Sequence, residues 1–85
     1  MKIISRESLN EVKDMKNGEK GLFEYVDCGR VFQDVFMAYD GEMYFKMDSC
    51  IQDVTGAELE CFGRYDENNN HIIAVVNLDG SIELN

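Results

Sequence analysis

Apolar residues along this chain change their spacing once, near residue 21. Before that point Leu9, Val12 and Met15 fall at i, i+3 and i+6, one stripe of a helix. Ser8-Leu9-Asn10-Glu11 reads as a capping box, in which the Ser8 hydroxyl accepts from the Glu11 N–H and the Glu11 carboxylate reaches back to Ser8. Asn17-Gly18 supplies a left-handed stop. The pattern predicts one short helix over about 9–16, too short to persist alone in water, so that Leu9, Val12 and Met15 must dock on the rest of the fold.

From Gly21 onward strand-length apolar runs replace the helical stripe: Leu22–Val26, Val31–Tyr39, Met43–Met47, Cys50–Val54, Leu59–Tyr65, Ile72–Leu78 and Ile82–Leu84. Tyr39-Asp40-Gly41, Val54-Thr55-Gly56 and Leu78-Asp79-Gly80 separate them with one turn form, since Gly takes a positive φ freely. Asp66-Glu67-Asn68-Asn69-Asn70 closes a further hairpin. The expected fold is α+β but mostly β, a single domain over residues 1–85 with one short N-terminal helix. Its antiparallel strands, over about 21–84, form a meander with no room for parallel crossover helices. No proline protects an edge, which favours a small bent sheet or partly closed barrel.

Turn lengths convert this into faces. With Asp40-Gly41 as a two-residue loop, Tyr39 pairs with Glu42, Ala38 with Met43, Met37 with Tyr44 and Phe36 with Phe45. One face then carries Phe32, Phe36, Ala38, Met43, Phe45 and Met47, and is assigned to the core because Phe has no polar atom to satisfy. The other carries Val31, Val35, Met37, Tyr39 and Tyr44 among Gln33, Glu42 and Lys46; it is either covered as well or an exposed patch suited to a partner. With Thr55-Gly56 as the next loop, Cys50 falls opposite Cys61, and both are expected to stay reduced.

Charge changes the picture more than composition does. The chain of 85 residues is 45% hydrophobic and 29% charged with a net charge of −9, a globular composition whose core is small at this length. After Lys20 there are thirteen carboxylates, Glu24 to Glu83, against Arg30, Lys46 and Arg64. Acid mounted on a strand-rich surface repels nucleic acid and anionic membrane, so neither is an expected direct partner. No apolar run is long enough to span a membrane, and Met1-Lys2-Ile3-Ile4 runs at once into Ser5-Arg6-Glu7 without a signal-peptide core, so a cytoplasmic location is expected.

Catalytic and metal signatures are not found. Cys28, Cys50 and Cys61 are odd in number and lack a C-x-x-C spacing, which favours reduced thiols, most of them facing the core, over a zinc site completed by His71. His71 follows an Asn run at a strand mouth and has no neighbouring nucleophile. Neither a calcium loop nor a phosphate-cradling glycine pattern is present. No enzyme activity, cofactor or metal is expected.

Val12-Lys13-Asp14-Met15-Lys16-Asn17-Gly18, then Gly21-Leu22-Phe23, Tyr44-Phe45-Lys46-Met47 and Val75-Val76-Asn77-Leu78-Asp79-Gly80, resemble small β-rich proteins encoded by phages and other mobile elements. The resemblance implies an origin among the acidic inhibitors made against host or defence machinery, and carries no site residues. The expected function is non-enzymatic binding, an anti-CRISPR-like inhibitor of a nucleic-acid-binding protein that acts by DNA mimicry and meets a basic protein surface. Asp34, Asp40, Glu42, Asp48, Asp53, Glu58 and Glu60 would supply the charge, with Tyr39 and Tyr44 as anchors. The alternatives are a domain that pairs with a fixed partner or a copy of itself, a homodimer, through the Tyr/Met face, and a binder that sequesters a small molecule.

Overall fold

The computed structural model describes residues 1–48 and 51–85. Strands make up 54% of the described residues. They are β1 (Lys2–Ile4), β2 (Lys20–Asp27), β3 (Arg30–Tyr39), β4 (Glu42–Lys46), β5 (Ile51–Gln52), β6 (Glu58–Tyr65), β7 (His71–Val76) and β8 (Ile82–Leu84), with a 3-10 helix over Arg6–Asp14 between the first two. The sheet runs β1-β2-β3-β4-β6-β7-β8, with β5 paired to β6 beside this path, and it does not close.

Pairing is antiparallel except at β1, which lies parallel to β2 with Ile4 opposite Phe23. This corrects the all-antiparallel meander: the stretch from Ser5 to Glu19 is long enough to carry the chain over one face and back to the neighbouring strand. The helix starts a turn earlier than the sequence suggests. Ser5 caps it, its N–H donating to Ser8 Oγ at 2.9 Å while the Ser8 N–H donates to the Ser5 carbonyl at 3.1 Å. Glu11 instead forms an ion pair with Lys2 at 3.2 Å. Val12 and Met15 are buried, but Leu9 stays 43% exposed at the rim of a depression shared with Gly41 and Met43.

The β3–β4 register agrees with the Asp40-Gly41 reading at all four pairs from Tyr39–Glu42 to Phe36–Phe45. Asp40 (φ 49) and Gly41 (φ 78) both take the left-handed region that a two-residue hairpin loop requires. The loop between β5 and β6 is corrected: Gln52 pairs with Glu58 and Ile51 with Leu59, so Val54-Thr55-Gly56 is a three-residue loop and the register moves by one. The Asp53 N–H donates to Ala57 O at 3.0 Å and the Gly56 N–H to Asp53 O at 3.0 Å, a bulged turn repeated at Asn77–Ser81 and Asp66–Asn70. The expected Cys50–Cys61 pairing lies outside the described residues. Cys61 is buried, and Cys28 is exposed at the β2–β3 turn.

Both faces of the β3–β4 pair are covered. Phe36 and Ala38 pack with Ile4, Val12 and Met15 beneath the helix, with Phe23, Met43 and Phe45 around them. On the reverse side Met37 and Tyr44 pack against Phe62 and Ala74, because the bending sheet folds β6, β7 and β8 over them. Of the two readings of this face, the structure shows the covered one at Met37 and Tyr44, 0% and 4% exposed, and overturns the exposed-patch alternative there. Phe32, placed in the core by alternation, is 40% exposed, because it stands beyond the reach of β4.

Candidate charged surface

Charge placement begins with the bend. Lys20 and Met37 are paired, so their side chains share the inner face. Lys20 crosses that face, its Nζ 5.8 Å from the Phe62 ring centroid, and reaches Glu60 Oε1 at 2.9 Å and Oε2 at 3.0 Å. Lys46 Nζ adds a second contact to Glu60 Oε2 at 3.5 Å. The Glu60 carboxyl is held below its ordinary 4.5, first by the hydrogen bond from Lys20 and then by the charges of Lys20 and Lys46. Nearby, Arg64 Nη2 lies 3.4 Å from Glu42 Oε2 with its guanidinium over the Tyr44 ring at 5.7 Å.

The carboxylates singled out in the sequence therefore divide by what they touch. Glu42 and Glu60 are neutralised by cations of the same chain. Asp40 is bound into its turn, its N–H donating to Asn17 Oδ1 at 2.8 Å and its Oδ1 accepting from Asn17 Nδ2 at 3.2 Å. Asp53 accepts from the Thr55 hydroxyl at 2.6 Å, the Thr55 N–H at 2.8 Å and the Ala57 N–H at 3.1 Å. Its carboxyl lies below its ordinary 3.8, first because of the Thr55 hydroxyl.

Asp34, Asp48 and Glu58 remain. All three are exposed and form no ion pair among the described residues. Asp34 and Asp48 line one surface notch of about 590 Å³ together with Gln33, Val35, Phe45, Lys46 and Met47. Glu58 lines an adjoining depression that shares Lys46 and Met47 with the notch. Through these shared residues the three carboxylates border one strip that passes from the Phe36 face, where alternation puts Asp34, to the Phe62 face, where it puts Glu58. The expected anchors separate from it: Tyr44 is core, and Tyr39 is half-buried with its ring edge-on to Tyr44 at 6.2 Å and 87°.

One feature of this surface carries no signature in the sequence. Beyond Phe23, where β1 ends, and before Phe36, where β4 joins, β2 and β3 continue as a two-stranded arm turned by Cys28 (φ 52) and Gly29 (φ 77). The radius of gyration, 13.5 Å, exceeds the roughly 12 Å of a compact chain of this length, in keeping with an extension from the body. A row of rings runs out along one face of the arm, Phe45 to Phe23 at 5.9 Å, Phe23 to Tyr25 at 5.6 Å and Tyr25 to Phe32 at 5.5 Å. The Tyr25 hydroxyl is pushed above its ordinary 10.0, first by desolvation and then by the hydrogen bond to and charge of Asp34.

His71 is exposed at the start of β7, stacked on Tyr65 at 4.6 Å and 19°. Among the described residues no group of three or more His, Cys, Asp or Glu side chains is arranged to hold a metal, and no helix is long and apolar enough to cross a membrane. Comparison with protein-family models, with curated proteins and with solved structures finds no match.

Proposed function

We propose that this chain is a non-enzymatic binding protein whose acidic strip docks on a basic surface of another protein. The class of target is a nucleic-acid-binding protein of a host or its defence machinery, whose Lys/Arg groove the strip occupies in place of phosphates. The observation that supports this reading is the division of the acids. Charges on Glu42 and Glu60 are answered internally, whereas Asp34, Asp48 and Glu58 border one surface strip without an ion pair among the described residues. Apolar Val35, Phe45 and Met47 line the notch beside Asp34 and Asp48, together with Gln33 and Lys46, a mix of apolar and polar groups suited to a protein contact.

The test is capture of basic nucleic-acid-binding proteins from a bacterial lysate on the immobilised chain, followed by elution with salt and with duplex DNA. Bound protein should leave steeply between about 50 and 200 mM salt and be displaced by DNA, and Asp34→Asn/Asp48→Asn/Glu58→Gln should capture far less. Retention that is indifferent to salt, or an undiminished yield with the triple variant, would overturn the reading.

A further inference from the structure

We infer that the exposed edge of β3 is a self-pairing strand, through which two copies of this chain join antiparallel about Phe32. The backbone sets the geometry. The Ala38 N–H donates to Glu19 O at 2.8 Å and its carbonyl accepts from the Gly18 N–H at 2.8 Å, so Ala38 bonds toward the β2 side. The β2–β3 register is unbroken from Lys20–Met37 to Asp27–Arg30, and backbone groups alternate in direction along a strand. Arg30, Phe32, Asp34 and Phe36 therefore also bond toward β2. Val31 and Gln33 point the other way, toward an edge where no strand pairs among the described residues, because β4 joins only at Phe36.

An unpaired strand edge without proline is a template for another strand, and the guards usual on such edges are sparse here. Laying a second copy antiparallel about Phe32 satisfies three conditions together. Val31 of each copy meets Gln33 of the other, so residues whose N–H and C=O point outward meet their like and the ladder can form. Phe32 meets Phe32 as a pair without mutual backbone bonds, the closer side-chain geometry, which covers its exposed ring and joins the two rows Phe45-Phe23-Tyr25-Phe32. Arg30 meets Asp34 twice.

That last pairing decides the register. Two chains of net charge −9 repel, and Arg30 is the only cation on the arm, among Glu24, Asp27 and Asp34. A shift of two residues about Gln33 keeps the ladder but places Arg30 against the buried Phe36 and loses both ion pairs. The occupant is thus a second copy, fitted by charge and by backbone direction. Both readings use Asp34, so the dimer and a basic partner would compete for it; because the chain is measured alone, the outcome does not depend on that partner.

Sedimentation equilibrium across a dilution series reads the dimer, with hydrogen exchange of individual amides alongside. The expected result is a concentration-dependent dimer in which the Val31 and Gln33 amides gain protection on association while that of Phe32, already bonded to β2, does not change. Gln33→Pro removes an outward N–H without costing a β2–β3 backbone bond, giving up only the exposed side-chain bond of Gln33 to Glu24 at 3.0 Å, and should give a monomer with unaltered circular dichroism. Arg30→Glu and Asp34→Lys each oppose like charges and should weaken the dimer about tenfold or more, whereas mixing the two variants opposes unlike charges at both ends and should restore it. A mass of 9.8 kDa at every concentration up to about 1 mM, or a dimer that mixing does not rescue, overturns the inference.

Discussion

Gly21 and Phe36 are direct cross-strand partners, and the Phe36 ring occupies the space a side chain at Gly21 would need: a Cβ there would lie 2.7 Å from Phe36 Cζ and 2.9 Å from the Lys2 carbonyl oxygen. The ring fills the hole left by glycine while β1 closes over the same spot. Core, parallel strand and hairpin arm thus meet at one residue.

Gly21→Ala must therefore displace a fully buried ring or separate β1 from β2. The expected cost is about 2–3 kcal/mol, at the upper end for an overpacked core, read as the urea midpoint. Gly56→Ala is the control, since its φ of +84 strains any side chain but nothing lies within 4 Å, and it should cost about 1 kcal/mol. Equal costs at the two sites would remove the steric argument.

Glu60→Gln tests the bridge across the inner face. A carboxyl held below its ordinary value favours the fold when ionised; for Glu60 that contribution is complete above about 4.5 and fades as pH falls through the lower folded value. Glu60 is 43% exposed, so solvent screening limits the neutral-pH deficit of the variant to about 0.5–1 kcal/mol. Protonating the excess acid elsewhere also relieves repulsion, which is why the measured quantity is the gap between parent and variant. The gap should close below pH 4.5 and stay constant above it; a gap that persists in acid would assign the loss to packing.

How much of this was legible in the sequence follows from the distance over which each feature is encoded. Asp40-Gly41 carries its own register, so the β3–β4 pairing could be read locally. Val54-Thr55-Gly56 has the same punctuation but adds a bulge residue, and the bonds of Asp53 to Thr55 and Ala57 that distinguish the two loops involve only ordinary turn residues. The parallel strand β1 is three residues long and shows no period. Nor could the charged surface be sorted in advance, since Glu60 finds Lys20 from 40 positions away and only the bend of the sheet brings them together.

Tyr44→Ala distinguishes core from contact surface. Tyr44 packs with Met37, Phe62 and Ala74 and carries the Arg64 guanidinium on its ring, so truncation opens a cavity and releases the Arg64–Glu42 pair. Thermal unfolding should show a loss of about 3–4 kcal/mol, against about 1–2 kcal/mol for the half-buried Tyr39→Ala. A Tyr44→Ala protein of parental stability would return Tyr44 to the surface.

Ile3 and Ile4 test the parallel strand, because adjacent residues of a strand point to opposite faces. Ile4 is fully buried among Val12, Met15 and Phe36 and pairs with Phe23, whereas Ile3 is exposed. A β1 held only by its backbone would make the two substitutions equivalent. With Ile4 as a member of the core, Ile4→Ala should cost about 2–4 kcal/mol and Ile3→Ala no more than about 0.5–1 kcal/mol. Their difference in urea midpoint, at unchanged slope, is the measurement. Equal and small effects would mean that β1 does not pack as described, and the support it gives Gly21 and the base of the arm would fall with it.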